Sequence, residues 1–97
     1  MNQKLARETI VSRKEIFDQG IKYTYTMTIN ESTSTSSFGI PLYSIQIDMI
    51  DTSGSHTTSK ICDIFSNIGK ADAFFNKLVK NLATPLNLRY ALEDEIF

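Results

Sequence analysis

Between Lys22 and Ile29 every second residue is large and apolar. Tyr23, Tyr25, Met27 and Ile29 alternate with Lys22, Thr24, Thr26 and Thr28. This period-two pattern in β-favouring residues demands a strand with one buried face, and it makes a purely helical fold untenable. A second pattern with a different period lies downstream. Ala71, Phe74, Phe75, Leu78, Val79 and Leu82 recur at i, i+3, i+4, i+7, i+8 and i+11. That spacing places them on one stripe of an α-helix. The period changes once along the chain, from two to 3.6. The fold class that follows is α+β: three or four antiparallel strands in a meander, then two C-terminal helices packed on one face.

The remaining elements fit around these two. Tyr43, Ile45, Ile47 and Met49 alternate with Ser44, Gln46 and Asp48, giving a strand over about 38–50. Phe38 and Ile40 have the opposite parity, which predicts a bulge and a bend near Pro41-Leu42. The polar run from Glu31 to Ser37 reads as the loop before it. Asp51-Thr52-Ser53-Gly54-Ser55 is a turn. A strand of mixed parity follows over about 56–64, because Ile61, Cys62, Ile64 and Phe65 do not keep one face. Its end is either buried on both faces or cut short near Asp63. Upstream, residues 8–17 read as a strand, with a short helix as the alternative, and Asp18-Gln19-Gly20 turns into the strand over 21–30. The first helix is expected over 68–83, capped by Ser66 or Asn67. Thr84 and Pro85 then cap and open a second over 85–96, with Leu88, Ala91, Leu92 and Ile96 facing the core.

At 97 residues the chain is one domain's worth. Ten basic residues against eleven acidic ones make nucleic acid an unlikely partner, since affinity for it comes largely from neutralised phosphates. A weak nucleic-acid contact would use Lys70, Lys77 and Lys80 on the outer face of the first helix. The single cysteine forbids an internal disulfide. With no secretory leader pattern and no apolar run near the ~20 residues of a membrane span, it fits a cytoplasmic protein with no membrane contact.

Chemistry-bearing residues are sparse. His56, the one histidine, reads as an exposed turn residue, because sequence neighbours such as Asp51, Ser53 and Ser55 rarely converge as a triad. Cys62 reads as a small apolar core residue rather than a nucleophile. Asp48, Asp51 and Asp63 could approach across a hairpin, but their spacing matches no calcium loop. One histidine and one cysteine cannot build a structural zinc site, so neither metal nor cofactor is expected. Ile68-Gly69-Lys70-Ala71 lacks the first glycine and the hydroxyl residue of a phosphate loop. Tyr23, Tyr25 and Tyr43 read as core residues with hydroxyls at the sheet rim, not as a base-stacking platform.

Three short segments carry a family resemblance. Phe38-Gly39-Ile40 opens a strand, Pro85-Leu86-Asn87-Leu88 restarts a helix, and Glu93-Asp94-Glu95-Ile96 is an acidic finish. Over about residues 20–97 the chain resembles a small uncharacterised family of Firmicutes proteins, mostly clostridial. The resemblance implies a bacterial cytoplasmic setting and a strands-then-helices chain of about a hundred residues; it carries no activity. The chain departs from that pattern at Arg89, where the family looks aspartate-rich.

The expected function is therefore a non-catalytic protein-interaction or regulatory module. Its candidate partner surface is the threonine face Thr24, Thr26 and Thr28 together with the acidic end Glu93, Asp94 and Glu95. Open strand edges would also allow a homodimer. The acidic end could face the basic N-terminal strand of the same chain or of a second copy, since residues 1–22 sum to +2 and residues 87–97 to −2. The alternative is a small-ligand site between sheet and helices near Tyr43, Cys62 and Phe75.

Overall fold

A computed structural model describes residues 8–31 and 41–96, with the backbone path alone at residue 31 and at residues 94–96. Four strands, β1 (Thr9–Asp18), β2 (Ile21–Glu31), β3 (Pro41–Ile50) and β4 (His56–Phe65), form one antiparallel sheet in the order β1-β2-β3-β4. They are followed by α1 (Ile68–Lys80), a single 3₁₀ turn (Pro85–Asn87) and α2 (Leu88–Ile96). This is the α+β meander under two C-terminal helices that the change of period demands.

The N-terminal segment is a strand. Gln19 and Gly20 both have positive φ, +53° and +81°, which makes Asp18–Ile21 a type I′ turn. The right-handed twist of the paired strands favours that turn. Register then follows the turn: Ile16 lies opposite Tyr23 and Lys14 opposite Tyr25. Val11 is the extra residue of a bulge between Ile10 and Ser12.

The bulge expected at Pro41-Leu42 is absent. The β2–β3 ladder runs unbroken from Glu31 opposite Pro41 to Lys22 opposite Ile50. Pro41 is the first residue of β3, where a missing N–H removes no interior bond. Phe38 and Ile40, whose parity suggested the bend, lie outside the described residues. The irregularity falls instead on β4. Tyr43 faces Phe65 and Ile45 faces Ile61, so four residues of β4 span two of β3. Asp63 takes φ +53° within this bulge, and its N–H donates to Ser44 Oγ at 2.9 Å. The mixed parity of Ile61 to Phe65 therefore reflects a bulge, neither an early stop nor burial on both faces.

One core lies between sheet and helices. It is built from Tyr23, Tyr25, Met27, Tyr43, Ile45 and Ile47 below and Ala71, Phe74, Phe75, Leu78, Ala83 and Leu88 above. α1 packs against β2, β3 and β4, while the 3₁₀ turn and α2 pack over β4. The Phe65 and Phe74 rings meet at 5.5 Å, tilted by 55°. The tyrosines are core residues, but the Tyr25 hydroxyl does not reach the rim. It crosses to the helical layer and donates to the Ala83 carbonyl at 2.8 Å, and burial pushes its pKa up to about 12.

Cys62 is exposed rather than packed in the core. Ile61 takes the inward position on this edge strand, and Cys62 next to it is turned outward at the start of the bulge.

Candidate functional site

The helical layer leaves an open cleft, about 680 Å³, lined by Lys77, Leu78, Asn81, Ala83, Asn87, Tyr90, Ala91 and Glu93. Its shape follows from how α1 ends. Leu82 holds φ +52°, its N–H donates to Val79 O at 3.1 Å, and Ala83 N–H donates to Leu78 O at 3.0 Å. This is a Schellman turn with leucine where glycine is usual. The Leu82 side chain packs against the core. The chain reverses, and Thr84 donates through both its N–H and its hydroxyl to Asn87 Oδ1, at 3.2 and 2.9 Å. Pro85 opens the 3₁₀ turn and Leu88 enters the core completely.

The two helices thus diverge from a tight corner, and the cleft fills the angle between them. Leu78, Ala83 and Ala91 give it an apolar floor; Lys77, Asn81, Asn87 and Glu93 give it a polar rim. Tyr90 stands at one wall, 70% exposed, and Leu86, one turn before it, is 78% exposed. Tyr90 lines the cleft, and Leu86 lies outside its lining. The cleft holds no histidine or cysteine, and its Asn87 carboxamide oxygen is already committed to Thr84. Its lining offers apolar contact, amide hydrogen bonds and one charge of each sign.

A second polar cluster sits on the sheet face away from the helices. Asp48 accepts from Thr58 Oγ1 at 2.6 Å and Gln46 Nε2 at 2.9 Å, and His56 Nε2 lies at 3.2 Å. Partial burial pushes the Asp48 carboxyl up, but these hydrogen bonds outweigh it and hold the pKa below the usual carboxylate value. The trio resembles a nucleophile, base and acid only in composition. The same ring nitrogen of His56 faces both Asp48 and Thr58, the latter at 3.1 Å. A relay needs the two ring nitrogens to face different partners. His56 is exposed, as expected. Asp51 instead organises its own turn: its Oδ1 accepts from the Ser53 hydroxyl at 2.6 Å and from the Ser55 N–H at 3.0 Å. Asp63 pairs with neither aspartate, and no cluster suited to a metal occurs among the described residues.

The threonine face is not an open platform. Thr24 is only 8% exposed, Thr26 and Thr28 are half-buried, and Ser44 on the same face is 1% exposed. Short side chains in the two central strands sit below longer neighbours such as Glu15, Gln46 and Asp48. Across this face Lys60 of β4 grips Glu8 at 2.7 and 3.0 Å, which raises the Lys60 pKa. Of the acidic end, Glu93 lines the cleft, while the side chains of Asp94 and Glu95 lie outside the described residues. α2 packs over β4, at the opposite edge of the sheet from β1. Tyr43 and Phe75 are buried and Cys62 is exposed, so these three do not line a common site. Lys70, Lys77 and Lys80 are exposed on α1, and Lys77 belongs to the cleft rim.

Sequence reasoning missed Leu86 and Tyr90. Their spacing to each other is helical, but Tyr90 follows Arg89 and precedes Ala91, and nothing in that run distinguishes a rim residue from a core one.

The model of a family of unknown function, DUF6514, matches residues 6–96, nearly the whole chain and all four strands. The chain belongs to the DUF6514 family. No curated protein and no solved structure matches it. The DUF6514 match includes β1, which the resemblance drawn from residues 20–97 left out. No helix among the described residues of this DUF6514 chain is long and apolar enough to cross a membrane.

Proposed function

We propose that this chain is a non-catalytic protein-interaction module that docks a partner segment in the cleft between α1 and α2. The observation that carries this reading is the exposure of Leu86 and Tyr90, one turn apart, beside an apolar-floored cleft. Tyrosine at the edge of a concave surface is a recurrent anchor of protein interfaces, because it brings large contact area and a polar tip. The polar rim supplies the Asn81 carboxamide and the NH2 group of Asn87, which can bond a partner's main chain. Glu93, one of the acidic residues of the expected partner surface, stays in the reading; Thr24, Thr26 and Thr28 contribute less, because they sit low in the sheet. The resemblance to clostridial chains supports a bacterial cytoplasmic setting.

Affinity capture from a native host with the full chain, repeated with Tyr90→Ala and Leu86→Ala, tests it. A partner retained by the wild type and lost at least tenfold in both variants, with unchanged melting temperature, is the expected outcome. Retention by both variants would remove the cleft from the reading.

The volume of the cleft lies within the range of small-molecule sites, which favours a ligand there as the second reading. A melting-temperature rise with a metabolite, abolished by Tyr90→Ala, would select it over a protein partner.

A further inference from the structure

Among the described residues the meander has two free edges, and they differ in a way that singles out one for self-association. β1 presents Arg13, Lys14 and Glu15 consecutively, then Asp18, and is interrupted by the Val11 bulge. Two copies joined antiparallel along this edge must place some residue on the two-fold axis, opposite itself. In the middle of β1 that residue is Arg13, Lys14 or Glu15, so a like charge always meets its own copy. Charge and bulge together are how natural sheets blunt an edge.

β4 lacks this protection over its regular stretch. From His56 to Ile61 the register with β3 is unbroken, and Thr57, Thr58 and Ser59 in its middle carry no charge. Lys60, the one ammonium in the stretch, is held by Glu8. The hydrogen-bond phase is fixed by Asp51 N–H donating to Ser55 O at 3.0 Å, which makes that pair a hydrogen-bonded one. Alternation along the ladder then turns the main-chain groups of Thr57, Ser59 and Ile61 toward β3 and those of His56, Thr58 and Lys60 outward.

We infer that β4 is a homodimer edge, pairing antiparallel with β4 of a second copy about an axis at Ser59. In that register Ser59 faces its own copy, Thr58 faces Lys60 of the second chain and Thr57 faces Ile61. Opposed residues then lie on the same face, as a continuous sheet requires. Thr58 and Lys60 supply about four main-chain hydrogen bonds across the axis. Centring on Thr58 instead would set Lys60 opposite His56, which the Ser59 axis avoids. The result is an eight-stranded sheet with both helical layers on the same side and both β1 edges outermost. This reading does not depend on the α1–α2 cleft.

The test is mass by light scattering on the full chain at tens to hundreds of micromolar. Wild type is expected at twice the chain mass, and Ile10→Lys on the β1 edge should leave it there. Ser59→Lys, which sets two ammonium groups on the axis, should halve the mass. Thr58→Pro provides the second variant, because it removes an outward N–H that the β3–β4 ladder does not use. In a Cys62→Ser background, Ser59→Cys should oxidise to a covalent dimer, since a directly opposed pair without mutual hydrogen bonds brings its Cα atoms to about 4.5 Å. A wild-type monomer throughout this range, or a dimer that Ile10→Lys dissociates and folded Thr58→Pro does not, would overturn the assignment.

Discussion

Among the described residues three non-glycine residues hold positive φ, and each marks a place where the chain needed a sharp change of direction more than an easy backbone: Gln19, Asp63 and Leu82. Gln19 has no contact that explains the choice, so Gln19→Asn should raise the unfolding free energy by about 0.5 kcal/mol, read from the urea midpoint at constant slope. Gly20 is different. A methyl group there would meet Thr52 Cγ2 at 2.9 Å on a backbone at φ +81°, so Gly20→Ala should cost about 1 kcal/mol or more in the same assay. Tyr25 shows what a single polar atom does in the core. Its ring is fully buried and stacks on Tyr23 at 6.3 Å, and Tyr25→Phe leaves the Ala83 carbonyl without its partner, at a cost of about 1–3 kcal/mol. The folded pKa lies above the ordinary value, so Tyr25 supports the fold fully below about pH 10 and ceases to as pH rises toward about 12. Thermal melts from pH 9 to 12 should show this alkaline loss in the wild type and a smaller one in Tyr25→Phe.

The β3–β4 hairpin is the element where sequence and structure differ most. Its turn was legible, because Asp51, Ser53, Gly54 and Ser55 are turn residues by chemistry. Its bulge was not legible as a bulge. A two-residue excess on an edge strand looks, in sequence, like lost alternation, and the partner that stabilises it, Ser44 Oγ, lies nineteen residues away. The bend expected at Pro41 has a different origin: it rests on the parity of Phe38 and Ile40, which lie outside the described residues, and β3 itself pairs with β2 without interruption from Pro41 onward. The hairpin also carries the pH dependence at the acid end. Hydrogen bonds hold both Asp48 and Asp51 below their ordinary pKa, the first against burial. A depressed folded pKa gives stability that is present above about pH 4 and lost as pH falls through the folded value. The melting temperature should therefore decline below about pH 4, and Asp48→Asn should flatten that decline while lowering the plateau.

At the scale of the whole molecule, most of the fold was readable because one core accounts for both periodicities. The alternating faces of β2 and β3 and the stripe of α1 meet each other, and Phe75 at their centre is 1% exposed. Phe75→Ala should cost about 3–5 kcal/mol, against less than about 0.5 for Leu86→Ala, both measured by denaturant unfolding. The cleft was not readable, since it depends on the angle between two helices, and no local pattern encodes an angle. Exposure was unreadable for the same reason: Thr24 and Cys62 exchange the places their chemistry suggests, one by sitting low between longer side chains and the other by lying on an edge.

The Tyr25–Ala83 hydrogen bond joins residues 58 apart in a molecule whose strands otherwise pair only with their neighbours in the chain. Each hairpin closes a short loop, so the sheet can assemble in order as the polypeptide leaves the ribosome. The clasp to Ala83 must wait until α1 has turned back on itself. Until then the nascent sheet carries an uncovered aromatic face. The residues that follow the fourth strand therefore decide how long that face stays open to other molecules.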